Sequence, residues 1–417
     1  KNSRPEPKDW YTGDIHTHLN CGEGTILLPE NRLIEMMQPN DLDIISLLAD
    51  MGNGEVKVSS RDLPKVNGQN APQSIPGRII RWDAEWHWDA TYSNFSNQAL
   101  GGHLVLLGLN NAHQVWEESP YKILEWGKKQ NAVMGFAHLE YLNDSIQNEL
   151  NCCIPIDYPV EAALGTIDFV SEDVFGNTSP NGGNYFSEGV IKAYYKLLNC
   201  GFRLGLAAGT DYPCNDNEPL GTLLTYVQVK DDLTYQKWIN GIKAGRTVVS
   251  RNAHNEFLEM KIDGKYIPGD EIKKKNKGSV KVEVKWTANK ELSGRIEIVS
   301  NGKVIATLPG NAKPGQPLVF ETTVPFTESS WICARRMDDQ SHETHTAPVY
   351  ITVNKQPVRA NADDAKFFIS WIDNILENIK PGGKWNRYFP NDLATVTERY
   401  IQAKHVYEKI LKESDKN

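Results

Sequence analysis

The chain has 417 residues, 40% hydrophobic and 24% charged, with a formal charge of −8. That length exceeds one ordinary hydrophobic core and predicts two or three domains, while the acidic balance excludes an extended nucleic-acid surface, which demands clustered Lys and Arg. No apolar run approaches the roughly 20 residues that span a bilayer, and 6 cysteines in a chain this long do not make a disulfide framework.

The chain opens at Lys1 with the polar stretch KNSRPEPKD. A missing initiator Met with a sandwich appended further on predicts an exported bacterial protein, periplasmic or extracellular. Residues 13–20 read GDIHTHLN. In an extended strand side chains alternate, so His16 and His18 share a face with Thr17 opposite, and two imidazoles on one face can grip a metal ion. DLDIISLLAD (41–50) is a second strand. RWDAEWHWD (81–89) alternates strictly: Arg81, Asp83, Glu85, His87 and Asp89 form a polar row, and Trp82, Trp86 and Trp88 an apolar one that packs against a core.

Further strands are HLVLLGL (103–109), AVMGFAH (132–138), TIDFVSED (166–173) and RLGLAAGTD (203–211), with helices such as SPYKILEWGKKQ (119–130) and EGVIKAYYKLLNCG (188–201) between them. Strand–helix alternation predicts an α/β fold, a (β/α) barrel over residues 1–253 with its chemistry at the C-terminal strand ends. His138 and Asp211 close their strands and would join His16, His18 and Glu85 there, while His103 opens the strand HLVLLGL.

After GRTVVSRN (245–252) the texture turns to alternating strands with hairpin signals at DG (263–264) and NG (301–302). Residues 254–354 are therefore predicted as an antiparallel β-sandwich, and 355–417 as a helical segment broken at PGGK (381–384). The run Lys273–Lys275 reads as a solvated turn. Adjacent Cys152 and Cys153 read as buried thiols. For Cys21 and Cys214 three readings stand, a thiolate metal site, a disulfide, and, ranked first, two small buried thiols. His87, His113, Glu140, Glu172 and Asp50 are candidates for orienting ligands, and the histidines of HETHT (342–346) for structural roles.

The ordered set WYTGDIHTHL, LDIISLLADM, the Glu85 strand, GGHLVLLGL, GFAHLEY, DFVSEDVFGN, AAGTDYP, AGRTVVSRN and HTAPVYITVN resembles the polymerase and histidinol phosphatase (PHP) superfamily of metallohydrolases, in particular its CehA/McbA branch. The resemblance spans most of residues 10–354. It implies a PHP-type distorted (β/α)7-like barrel followed by the sandwich and helices. It further implies one metal on His16, His18, Glu85 and Asp211, and a second on Glu85, His103 and His138, with Glu85 bridging. The family's third site would need histidines where Met51 and Pro213 stand, so it is expected to be absent.

Two divalent ions, zinc or manganese given the four imidazoles, would generate a bridging hydroxide at neutral pH. The expected function is hydrolysis of an ester-type bond, a phosphodiester, carboxyl ester or carbamate, in a small-molecule or saccharide-like substrate, with His87 or Tyr212 protonating the leaving group. Two alternatives stand beside it, a phosphomonoesterase and a degenerate, non-catalytic glycan- or protein-binding module. The low local density of Lys and Arg, with Arg81 and Arg251 nearest the motifs and Lys57, Arg61 and Arg203 further off, favours neutral or monoanionic substrates over a phosphate monoester dianion.

Overall fold

Alternation in the first strands sorts side chains between two buried faces. The computed structural model describes residues 4–19, 29–52, 61–88, 100, 102–112, 119–139, 145–150, 155–173, 185–214, 219–338 and 342–414. Strands β1 (Trp10–Thr17), β2 (Ile44–Gly52) and β3 (Ile79–Trp88) pair in parallel. Along β3, Ile80, Trp82, Ala84 and Trp86 enter the largest core, while Ile79 joins a second, smaller one on the opposite face. The same parity places Ile45, Leu47 and Ala49 of β2 in the first core and Ile44 and Leu48 in the second.

That second face grades from apolar to polar. Ile44, Ile79, Leu107, Val133 and Ala207 gather at one end, where helix α5 (Tyr235–Lys243) inserts Trp238, Ile239 and Ile242. Gly13 makes this fit possible, since a Cβ there would lie 2.4 Å from the Trp238 ring. At the other end of the same face lie Asp50, Glu85 and His87.

Strands β4 (Gly102–Leu107), β5 (Val133–Phe136), β6 (Phe169–Asp173) and β7 (Gly205–Gly209) continue the sheet. β4 runs antiparallel to both β3 and β5, whereas β5, β6 and β7 are parallel to one another. On the far side of β1, β8 (Leu224–Gln228) and β9 (Thr247–Ser250) are antiparallel. The sheet then passes directly into β17 (His342–Thr346), β16 (Ser330–Met337), β18 (Val349–Val353) and β11 (Glu271–Lys274). β13 (Leu292–Ser300) joins on β16, and β14 (Lys303–Ala312) on β13. A three-stranded sheet of β10 (Glu256–Ile262), β12 (Gly278–Ala288) and β15 (Leu318–Phe326) faces this extension across a separate core that includes Trp286, Ile296 and Ile332.

The (β/α)7-like barrel with a sandwich behind it is therefore overturned as a fold class: one mixed sheet of 15 strands runs through both regions. The reason is directional. Alternation specifies which face a strand buries but not which way it runs, and antiparallel β4, β8 and β9 replace helix-crossed parallel neighbours. Lys273 and Lys274, expected in a solvated turn, instead form the end of β11, which pairs in parallel with β18.

Helices α6 (Ala362–Ile379) and α7 (Leu393–Ser414) dock on α3 (Tyr158–Leu164). Tyr400 donates to Asp157 at 2.6 Å, Arg399 to Glu161 at 2.8 Å, and the Trp371 indole to the Ile156 carbonyl at 3.0 Å. Among the described residues, no helix is long and apolar enough to cross a membrane.

Candidate metal centre

β1 delivers His16 at its end and His18 just beyond it on the same face. Their Nε2 atoms stand 3.1 Å apart, and each lies 3.0–3.1 Å from Glu85 Oε2. Asp211 Oδ1 adds contacts of 3.3 Å to His16 and 3.2 Å to His18. Ligands about 2.0 Å from a tetrahedral zinc are separated by about 3.3 Å, so these edges suit a single ion at their centre. Glu85 turns its other oxygen the opposite way: Oε1 lies 3.1 Å from His103 Nδ1 and 3.8 Å from His138 Nε2. Glu85 Oε1 is buried without a hydrogen bond. A carboxylate oxygen buried among imidazoles and left without a hydrogen bond fits a shared cation.

All six of these side chains are buried. Among the described residues, His16/His18/Glu85 and Glu85/His103/His138 each form a group whose donor atoms could hold a metal ion; so do His16/His138/Asp211 and Asp50/Glu85/His87. The structure thus brings His16, His18, Glu85, His103, His138 and Asp211 to one cluster at the polar end of the graded face. His138 and Asp211 take left-handed backbone, φ 60 and 53, a conformation uncommon outside glycine and frequent where a site fixes a side chain's aim.

Neighbouring groups set the charges. Asp50, in register with Glu85 across β2 and β3, lies 3.0 Å from His18 Nδ1 and 3.4 Å from His87 Nε2. Burial would raise the Asp50 carboxyl, but His18 and His87 bring it down to about 2. His87 lies opposite His103 across the antiparallel β3–β4 pair, with ring centroids 4.0 Å apart. Burial alone would neutralise His87; Glu85 and Asp50 override it and push its pKa up to about 10. Burial opposes ionisation of Glu85 as well, and His16, His87 and His103 nevertheless hold it well below the usual carboxylate range.

Asp14 is a brace absent from the sequence reading, although parity with His16 was there to suggest it. It accepts from the Thr210 hydroxyl at 2.5 Å and from the amides of Thr210 and His16 at 3.0 and 3.1 Å, tying β1 to the residue before Asp211. Gly209 permits the approach, because a Cβ there would lie 2.5 Å from His16 Cβ. Deeper on the face, Asp83 accepts from Tyr235 and from the amides of Gly108 and Leu109, and burial lifts its pKa to about 7.

Other candidates stand elsewhere. Tyr212 packs its ring against the large core, and its carbonyl accepts from the His18 amide at 2.7 Å; among the described contacts none joins its hydroxyl to the cluster. Glu172 pairs with Arg251 at 3.3 Å. His113, Glu140, Cys21, Cys152, Cys153 and Lys57 lie outside the described residues, as do Asp89 and the side chains of Trp88 and His342. Cys214 is disulfide-bonded rather than a free thiol, which corrects the reading ranked first for it. His345 is buried between Tyr195, at 2.6 Å, and the Thr346 carbonyl.

No protein-family model matches this chain. No curated protein matches it either. Among solved structures, the chain is similar to the CARDB domain of PF1109 from Pyrococcus furiosus, seen by NMR, at 16% identity over 24% of this chain and 98% of that one, with a TM-score of 0.18. The crystal structure of the same domain in complex with di-metal ions gives 16% identity, 24% and 89% coverage, and a TM-score of 0.18. An engineered protein is 13% identical over 47% of this chain and 44% of its own, with a TM-score of 0.16. At TM-scores this low neither fold nor ligand carries across.

Proposed function

We propose that the chain is a metal-dependent hydrolase that cleaves an ester-type bond, a phosphodiester, carboxyl ester or carbamate, in a small-molecule or saccharide-like substrate. The observation that carries this reading is the division of Glu85, with Oε2 facing His16, His18 and Asp211 and Oε1 facing His103 and His138. That arrangement suits two ions, and the preponderance of imidazole favours zinc or manganese over magnesium. Resemblance of the motif order to the PHP superfamily supports hydrolysis in particular. Divalent ions held there supply Lewis acidity and a water activated near neutral pH.

The remaining roles belong to the protein. His16, His18, Asp211, His103 and His138 fix coordination geometry, and Asp50 orients His18 through Nδ1. His87, whose Nε2 lies 3.2 Å from Glu85 and 3.4 Å from Asp50, is placed to donate a proton to a leaving oxygen; the core-packed ring of Tyr212 makes it the weaker candidate.

Among the described residues, little spare positive charge surrounds the cluster. Arg251 is engaged by Glu172, Arg81 lies 5.4 Å over the Tyr235 ring, and Arg61 and Arg203 pair with Asp62 and Glu271. A dianionic phosphate monoester asks for more cationic partners than that. With a common nitrophenol leaving group, aryl esters, aryl carbamates and bis-aryl phosphodiesters should therefore turn over faster than aryl phosphate. Metal analysis of protein purified without added ions, followed by this substrate panel, tests the reading. Metal-free protein inert toward the whole panel would overturn it. The Cys214 disulfide supports residence in an oxidising compartment.

A further inference from the structure

Three residues beyond Asp211, Cys214 is half-buried against the metal centre. Its sulfur, a carboxylate oxygen of Asp211 and a ring nitrogen of His18 all lie within 4.8 Å of one another. A disulfide sulfur is a poor ligand, while a thiolate is among the strongest for zinc and other borderline ions. The disulfide therefore holds a potential ligand beside the centre in a form that cannot bind.

We propose that Cys214 makes the metal centre redox-responsive: reduction of its disulfide releases a thiolate that joins the ion held by His18 and Asp211. This rests on the metal-centre reading above. A zinc–sulfur bond is about 2.3 Å, and a cysteine sulfur moves roughly 3 Å between staggered rotamers, so freeing one side chain spans the gap without backbone rearrangement. The balance is simple. A phosphine reductant attacks one sulfur of the disulfide, the S–S bond breaks, and water supplies oxygen to the phosphine oxide and protons to two thiols. On binding the ion, Cys214 gives its proton to solvent. The added thiolate would compete with water or substrate for the ion, so the reduced form is the less active one. The buried thiols of Cys200 and Cys333, both pushed up by burial, take no part.

Cobalt-loaded full-length chain tests this by absorption spectroscopy, before and after treatment with a water-soluble phosphine, with thiols titrated in parallel. The expected result is a near-ultraviolet thiolate-to-cobalt band, equivalent to one sulfur per chain, that appears on reduction and is absent from Cys214→Ser but present in Cys200→Ser. Should Cys214→Ser fold poorly, the oxidised and reduced wild-type spectra decide the matter alone. No new titratable thiols, new thiols without the band, or a band that persists in Cys214→Ser would each overturn the proposal while leaving the hydrolase reading intact. Absence of any cobalt ligand-field absorption in both redox states would remove the metal-centre reading, and this proposal with it.

Discussion

Asp157 offers a test of how the C-terminal helices are held. Its carboxyl is 2% exposed at the start of α3, where it accepts from Tyr400 of α7. Burial raises its pKa from 3.8 to about 7, against the opposing hydrogen bond from Tyr400. A carboxyl raised in the folded state contributes stability that is complete below pH 3.8 and disappears as the pH climbs to about 7. Each pH unit in that window is worth about 1.4 kcal/mol, so the wild-type chain should lose about 3 kcal/mol between pH 5 and pH 8 through this group alone. Asp157→Asn keeps an acceptor for the Tyr400 hydroxyl and cannot ionise. Urea unfolding of both proteins across that range, plotted as the difference in stability, cancels contributions common to both. The variant should gain about 3 kcal/mol on the wild type from pH 5 to pH 8. Parallel curves would show that Asp157 ionises in the folded protein as it does in the unfolded one, and the account of this interface would fail.

Three further outcomes follow from the centre and the sheet. Glu85→Ala should strip both ions and abolish turnover, whereas His103→Ala should retain the ion on His16, His18 and Asp211; equal metal loss in the two variants, measured by elemental analysis, would contradict the bridging role. Asp50→Ala removes the carboxylate 3.0 Å from His18 Nδ1 and should weaken metal binding about 10–100-fold, read by chelator competition, and an unchanged affinity would assign Asp50 elsewhere. Ending the chain near residue 252 strips β17 from β9 and removes Phe257, whose ring centroid lies 5.0 Å from both Trp10 and Tyr226. Insoluble or inactive protein is expected, and a soluble, fully active truncate would refute the coupling.

Particular residues show what the sequence made legible. The polar row of RWDAEWHWD follows from the pleat alone, and Asp83, Glu85 and His87 do share a face opposite Trp82 and Trp86. The turns at Asp263–Gly264 and Asn301–Gly302 were visible because left-handed backbone favours those residue pairs, and all four have positive φ. Strand direction was not legible. Nothing in HLVLLGL says that β4 runs against its neighbours, and short β8 (LTYVQ) carries no turn signal that would set it beside β1. Met51, at the position where the family resemblance asks for an imidazole, is buried in the large core. Asp14 escaped notice because an acid before H-x-H reads equally as strand polarity, and the Cys214 disulfide because pairing is a distance in space that spacing along the chain does not reveal.

The continuity of the large sheet bears on how such a chain could evolve. β1, which carries His16 one residue before its end, is separated from β17 by β8 and β9 alone, and the junction is written in backbone hydrogen bonds with Thr344, His345 and Thr346 opposite Ser250, Val249 and Val248. Recombination shuffles modules most freely where a loop can be cut and rejoined, and here the boundary is a ladder instead. A sandwich borrowed from another protein would have to arrive with an edge strand of matching register and buried parity, or leave the outer edge of β9 unpaired two strands from the histidines. Change in the C-terminal half should therefore accumulate by substitution within its loops and outer strands, while the β9–β17 seam is inherited as one piece with the centre it adjoins.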